Sequence, residues 1–553
     1  MHYIPSRPRS IFLALSLLSA CAASGPTSPE TGVAPGVAAA YLTARFASGQ
    51  GDNEFAAGQY LRALEGDPSN LDLRQQAFIT ALLAGQPQAA KLAPMMADDQ
   101  AAILLLAGLD AKAGRWEQAE ARIAGLPRQG LAQILQPLLI AWVQAGEGRT
   151  DAALAALAGA PDAQRLKALY ELHGAMIADL GGKTAEADRL YRAAITDYGG
   201  TDFQLARHVA SWQARQGQAN AARQTLEALA EVAPEFAIAI QGLTAKAAEP
   251  VVTSAVDGMA ETYLTLAAAL RGQERAAFSL ILVQLALDLK PTHAGARLLA
   301  ADLHEGRAKP ELAMAALAAV PAQDPLAALV RLRQAALADK LGKSDEALQL
   351  LDQIAQAAPA RPEVPTMQGD LLRQKKKYTE AIAAYDRAIA LLPPPATRPH
   401  WPLYYNRGIA LDRAKQWSKA EADLLLALKL QPEQPFVMNY LGYSWTEQGR
   451  NLGKAREMIE RAVALRPNDG EIVDSLGWVL FRQGDVRGAT KYLERAVEMM
   501  PEDATINGHL GDIYWAGGRK REAGFQWRRA LTLKPDPDEI PAFQAKLRDA
   551  AGN

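Results

Sequence analysis

Along the last third of the chain, small and large apolar positions return in a fixed order that a proline closes. Glycines stand at Gly369, Gly408, Gly442, Gly477 and Gly511, with spacings of 39, 34, 35 and 34 residues. Each is followed by an alanine (Ala381, Ala420, Ala455, Ala489, Ala523) and then by a large apolar residue (Tyr385, Leu424, Ile459, Leu493, Trp527). A second alanine (Ala388, Ala427, Ala462, Ala496, Ala530) and a proline (Pro393, Pro432, Pro467, Pro501, Pro535) complete the unit. Small residues at the touching points let two antiparallel helices approach closely. Proline ends the second helix because it lacks the amide proton and clashes with the preceding turn. The pattern predicts five helical hairpins, at residues 362–395, 401–434, 435–469, 470–503 and 504–537.

A period near 34 with this order of positions is the tetratricopeptide signature. The resemblance implies an all-α fold, an α-solenoid of helix-turn-helix repeats forming a right-handed superhelix. Weaker copies run back almost to the N-terminus: Ala56, Tyr60, Ala63 and Pro68; Gly114, Ala119 and Ile123; Ala187, Tyr191 and Ala194; Gly217, Ala222, Leu226 and Pro234. Roughly 13 helix pairs are expected in all. Residues 246–257 (KAAEPVVTSAVD) break the helical pattern with Pro250 and a β-branched run. They are read as a linker between an irregular array at 38–245 and a second array at 258–545. The proline cluster from Pro393 to Pro399 accounts for the one long spacing, as a loop between hairpins that is either a stiff elbow or a tolerated insertion.

Composition narrows the function. Apolar residues make up 49% of the 553 but aromatics only 6%, which suits close-packed helices of Ala and Leu and suits sheets badly. With 59 basic and 61 acidic residues there is no bulk electrostatic case for nucleic acid. A single cysteine, Cys21, excludes an intrachain disulfide or a thiolate metal site.

The N-terminus reads as an export signal. Arg7 and Arg9 precede an apolar run at 11–18 that is too short to span a bilayer. Leu18-Ser19-Ala20-Cys21 follows and resembles the bacterial lipobox; the bland alternative is an ordinary secretory signal. The lipobox reading makes residues 1–20 a signal peptide, Cys21 a lipidated residue and residues 21–37 a flexible tether rich in Pro and Gly. The resemblance implies three acyl chains on Cys21, a firm anchor where a single chain is marginal. Ala22 replaces the aspartate associated with inner-membrane retention, so the expected location is the outer membrane, facing the periplasm.

No catalytic chemistry emerges. The seven histidines show no metal-ligand spacing, and no nucleophile elbow, phosphate-binding loop or dinucleotide fingerprint is present. His304 and His509 are read as half-buried helix residues. The chain is expected to be no enzyme, with no cofactor, no metal and no small-molecule substrate. What the repeats offer is the inner face made by the first helix of each hairpin. Its predicted positions form a groove rich in aromatics, poor in charge, with one central asparagine. Tyr405, Asn439, Tyr443, Asp474, Trp478, Phe481, Asp512 and Trp515 are the candidate partner-binding residues; large amphipathic rings are the usual anchors of a binding hot spot. The alternative is that the rings fill the seam between helices.

The phrases NYLGYSW (439–445), DSLGWVLFRQG (474–484) and HLGDIYWAGGRKREA (509–523) go beyond the generic repeat. They resemble the tetratricopeptide outer-membrane lipoproteins of proteobacteria that serve as adaptors for carboxyl-terminal processing proteases. The resemblance covers the lipobox and residues 360–537 and is loose over 70–250. It implies protein partners, namely a periplasmic processing protease and the peptidoglycan hydrolases brought to it. A scaffold of a secretion, pilus or polysaccharide-export machine, or an organiser of the cell wall, are the competing readings.

Overall fold

The computed structural model describes residues 35–127, 129–160, 166–200, 202–272, 276–357 and 361–551. Cys21, the signal peptide and nearly all of the tether lie outside them. Among the described residues the chain is α-helical, with thirty α-helices, a few short 3₁₀ turns and no strand. It forms two compact units, divided between Leu106 and Ala107. No single helix among the described residues is long and apolar enough to cross a membrane.

The five predicted hairpins are present, and packing accounts for their glycines. A Cβ on Gly477 would lie 1.6 Å from Leu493 Cδ2, and one on Gly511 or Gly369 would lie 2.5 Å from the ring of Trp527 or Tyr385. The large residue of each second helix occupies the space that a side chain on the first helix would take. Alanines on either side of it, such as Ala489 and Ala496, are fully buried. Aspartates fix several helix starts: Asp469, Asp485 and Asp503 accept from the amides of Ile472, Gly488 and Ile506. The proline cluster forms a non-helical link that ends in a 3₁₀ turn at Arg398–His400, before the Trp401–Arg413 helix.

The weaker upstream copies bury the same positions. In the first unit the Asn53–Gly66 helix buries Ala56, Tyr60 and Ala63. In the second, Ala119 and Ile123, Ala187, Tyr191 and Ala194, and Ala222 and Leu226 are buried on their helices.

The break at 246–257 lies inside the second unit. Residues 246–254 carry no helix, and Ser254 then caps a new one: its hydroxyl accepts from the Asp257 amide at 3.1 Å, while Asp257 accepts from the Thr253 amide at 2.9 Å. The helix so started, Ala255–Ala269, is buried nearly all round. It packs against Ala132–Gly146 and Lys167–Leu180, first helices of hairpins far earlier in the chain, and against its own neighbour Ala276–Leu289. Gly258 permits this approach, since a Cβ there would meet the Trp142 ring at 2.3 Å. Trp142 is fully buried and its indole N–H donates to His173 Nδ1 at 3.0 Å.

Beside this contact sits a buried charge. Glu261, 1% exposed, lies 3.0 Å from His293 Nε2 and 3.6 Å from both His208 Nε2 and Arg207 Nη1. Burial alone would raise its pKa, but the two histidines outweigh it and hold the carboxyl well below the ordinary range. Glu261 therefore ties Ala255–Ala269 to the Phe203–Arg215 and Ala294–Gly306 helices.

Candidate functional site

The first helices of the last five hairpins are Glu363–Gln374, Trp401–Arg413, Pro435–Glu447, Gly470–Arg482 and Ala504–Ala516; Ile540–Ala551 follows the last hairpin. Successive members are joined by polar links, each pair by at least one between a carboxylate and a group on the next helix. Asp370 accepts from Asn406 Nδ2 at 3.0 Å. Asp412 accepts from the Tyr440 hydroxyl at 2.9 Å, and Glu447 from the Trp478 indole at 2.5 Å. Asp474 pairs with His509 Nδ1 at 2.9 Å, and Asp512 with Lys546 Nζ at 2.7 Å. The five links form a ladder of carboxylates along the inner face.

Seven of the eight candidate residues fall into three groups on this ladder, and Asn439 stands apart. Tyr405 lies between Trp401 and Tyr440, with ring centroids 6.1 and 6.2 Å away, and its hydroxyl is pushed up to about 12, chiefly by burial. Tyr443, Asp474, Trp478 and Phe481 come together around His509. The Trp478 ring stacks on the imidazole at 4.1 Å and 18°, Phe481 flanks Trp478 at 5.4 Å, and Tyr443 stands 6.4 Å from the imidazole. Asp512 and Trp515 join Phe481, Trp527, Lys546 and Arg548 in lining an open cleft of about 770 Å³. Asn439 is half-buried, and its side-chain oxygen has no hydrogen-bond partner.

Asp474 and Trp478 are buried by their neighbours, at 5% and 9% exposure, whereas Tyr405, Tyr443, Phe481, Asp512 and Trp515 are half-buried. The rings thus serve both as seam between helices and as surface. The face also carries more charge than its predicted positions suggested, because Glu447 stands one residue beyond the inward register. His509 is half-buried, as expected, and paired as well. Burial works against its protonation, but the Asp474 carboxylate, helped by Asp512 and Glu447, keeps its pKa above the ordinary value. Tyr443 is raised by burial and then by the carboxylates of Glu447, Asp474 and Glu539. Sequence reasoning passed over Glu447, Tyr440 and Lys546, and read His509 only as a half-buried helix residue without its Asp474 partner. The only signal for them was their distance from a carboxylate, about one repeat away.

Among the described residues no three His, Cys, Asp or Glu side chains are placed to hold a metal ion. The arrangement presents aromatic surface and hydrogen-bond acceptors along stacked helical hairpins, which is the architecture of a tetratricopeptide-repeat scaffold suited to protein–protein interaction.

Family models agree at this level. A tetratricopeptide repeat-like domain model matches residues 251–400, and a tetratricopeptide repeat model matches 366–435 and 475–539. The chain is similar to the TPR repeat-containing protein PA4667 of Pseudomonas aeruginosa, 28% identical over 163 residues, which are 29% of this chain and 27% of that protein. Only about a quarter of that relative's length is therefore matched. Among solved structures, the APC/C hetero-tetramer Cut9–Hcn1 aligns over 93% of this chain and 96% of its own, at 15% identity and a TM-score of 0.39. Yeast Tom70 aligns over 93% and 95%, at 13% identity and a TM-score of 0.33.

Proposed function

We propose that this chain is a non-enzymatic lipoprotein scaffold, tethered through Cys21 to the outer membrane and facing the periplasm, that holds partner proteins on the inner face of its last five hairpins. In this reading it is an adaptor that brings cell-wall hydrolases to a carboxyl-terminal processing protease. The observation that carries the reading is the continuous aromatic and carboxylate face on stacked hairpins. A solenoid of this kind can hold two proteins on different stretches and raise the local concentration of one near the other. The lipobox-like Leu18-Ser19-Ala20-Cys21 supports the tether.

Two experiments test it. A chain ending at residue 360 is expected to fold, as judged by its helical circular dichroism, and to lose capture of the envelope protease; undiminished capture would sink the reading. Cys21→Ser is expected to accumulate as an uncleaved precursor. A normally cleaved, membrane-free product would point to an ordinary secretory signal.

A further inference from the structure

Stacked repeats leave each terminal element with a side that no neighbour covers, and such ends are ordinarily closed by a polar face. The late end follows this rule. Ile540–Ala551 buries Phe543 and leaves Gln544, Arg548 and Asp549 exposed. The early end breaks it. Its first helix, Pro35–Gly49, buries Val37, Ala40, Ala44 and Ala47 and packs on Asn53–Gly66, where Tyr41 meets Tyr60 edge-on at 6.1 Å. On the opposite side, at helical spacing, stand Ala38, Ala39, Leu42 and Phe46, all exposed. Leu42 is 64% exposed and Phe46 72%, the highest value for a large apolar residue among the described residues. A Cβ on Gly49 would meet nothing within 4 Å, so this side is open. Of the twelve large apolar residues left exposed among the described residues, five (with Phe55, Leu71 and Met95) fall in this first compact unit. The excess is therefore local. A helix apolar on both sides calls for cover on both.

We propose that the outer side of Pro35–Gly49 lies on a lipid surface, the bilayer that holds the acyl chains of Cys21. Thirteen residues separate Cys21 from Pro35, a stretch that spans at most about 50 Å when fully extended, so the helix stays in the neighbourhood of the membrane. Within that reach docking is intramolecular, and even two large apolar side chains engage at a high effective concentration. The pattern is that of a helix lying in the interface and not crossing it: 15 residues, apolar outward, with Arg45 as its one charge. Asp52 and Glu54 come only past its end. A bilayer matches Leu42 and Phe46 and asks for no donor or acceptor, so the contact is apolar and not ionic. The inference rests on the proposed Cys21 tether and adds a second membrane contact, built from the fold itself.

The test uses the mature acylated chain on vesicles of phosphatidylethanolamine and phosphatidylglycerol. Cys21 is the sole cysteine and acylation consumes its thiol, so a cysteine introduced elsewhere takes an NBD label alone. Ala39→Cys places the label on the outer side of the helix, and Arg548→Cys places it on the polar closing helix. Dithionite is expected to bleach the first label at least about fivefold more slowly than the second, at low and at high salt alike. Leu42→Ser with Phe46→Ser is expected to remove the difference while the acyl chains keep the protein on the vesicles. Both side chains are exposed, so the fold is spared. Equal bleaching at the two positions, or slow bleaching that survives the double substitution, would overturn the proposal. So would protection that grows with the density of chain on the vesicles, since a second copy would then be the occupant. Protection that appears only on adding the processing protease would likewise hand the face to that protein. Mass spectrometry of Cys21 scores the tether separately. An unmodified Cys21 sinks tether and inference together, whereas an acylated chain with equal bleaching leaves the tether standing and sinks the inference alone.

Discussion

Trp142→Ala is expected to destabilise the second compact unit by about 4 kcal/mol, a large share of the stability of an ordinary domain. Emptying a fully buried tryptophan site ordinarily costs about 3–5 kcal/mol, because the surroundings collapse only in part. At this site collapse is poor. The ring is the surface on which Gly258 lands, and the helices on either side are held apart by their own hairpin partners. The substitution also removes the donor to His173 Nδ1, leaving a buried imidazole with neither nitrogen bonded, since its Nε2 already has no partner. Trp142→Phe should fall between wild type and Trp142→Ala, keeping most of the ring while losing the N–H. Urea unfolding followed by near-ultraviolet circular dichroism reads the effect. A loss below about 1 kcal/mol for Trp142→Ala would show that the seat of the Ala255–Ala269 helix is not where this unit's stability lies.

Acidification from pH 6.5 to pH 5 is expected to cost about 2 kcal/mol through His173 alone. Burial, then the neighbouring His208, pushes this histidine from its ordinary 6.5 down to about 3. The geometry agrees, because Nδ1 accepts from Trp142 and a proton placed there would break that bond. The folded pKa is depressed, so between about 3 and 6.5 the unfolded chain binds the extra proton. Stability from this group is therefore complete above 6.5 and drains away as pH falls toward the folded value, by about 1.4 kcal/mol per pH unit. His304, pushed down to about 4 by burial and by Arg307, adds in the same sense. The depressed Glu261 carboxyl adds again below the ordinary carboxylate range. His173→Gln, which can still accept from Trp142, should remove one proton's worth of slope between pH 5 and 6.5. Identical slopes for wild type and variant would refute the assignment.

How much of this was legible in the sequence follows from the range of the forces involved. The five hairpins were readable because each depends on a contact within one repeat, such as Leu493 filling the space above Gly477 or Trp527 that above Gly511. Glycine, alanine and large residue must then recur in phase, and period alone reveals them. The aromatic inner face followed from the same register. The ladder did not, because Glu447 lies outside the inward positions and its partner Trp478 is on the next hairpin. His509 could have been paired with Asp474, which lies one period earlier, but the rule that pairs them is chemical and not periodic. Least visible was the Ala255–Ala269 helix. Its run of Ala, Leu and Thr with a buried glutamate announces burial all round, yet nothing local says that Ala132–Gly146 is its seat.

That seat has a bearing on where visitors can land. Upstream, the chain lodges its own helix against Ala132–Gly146 and Lys167–Leu180 and ties it through Glu261 to His208 of Phe203–Arg215, so this stretch is already tenanted. Anything engaging it must address its outer side. Among the described residues the helices from Glu363 onward receive no such lodger, and a footprint of any bound protein should divide accordingly, on the outside in the stretch from Ala132 to Arg215 and on the inside from Glu363 onward.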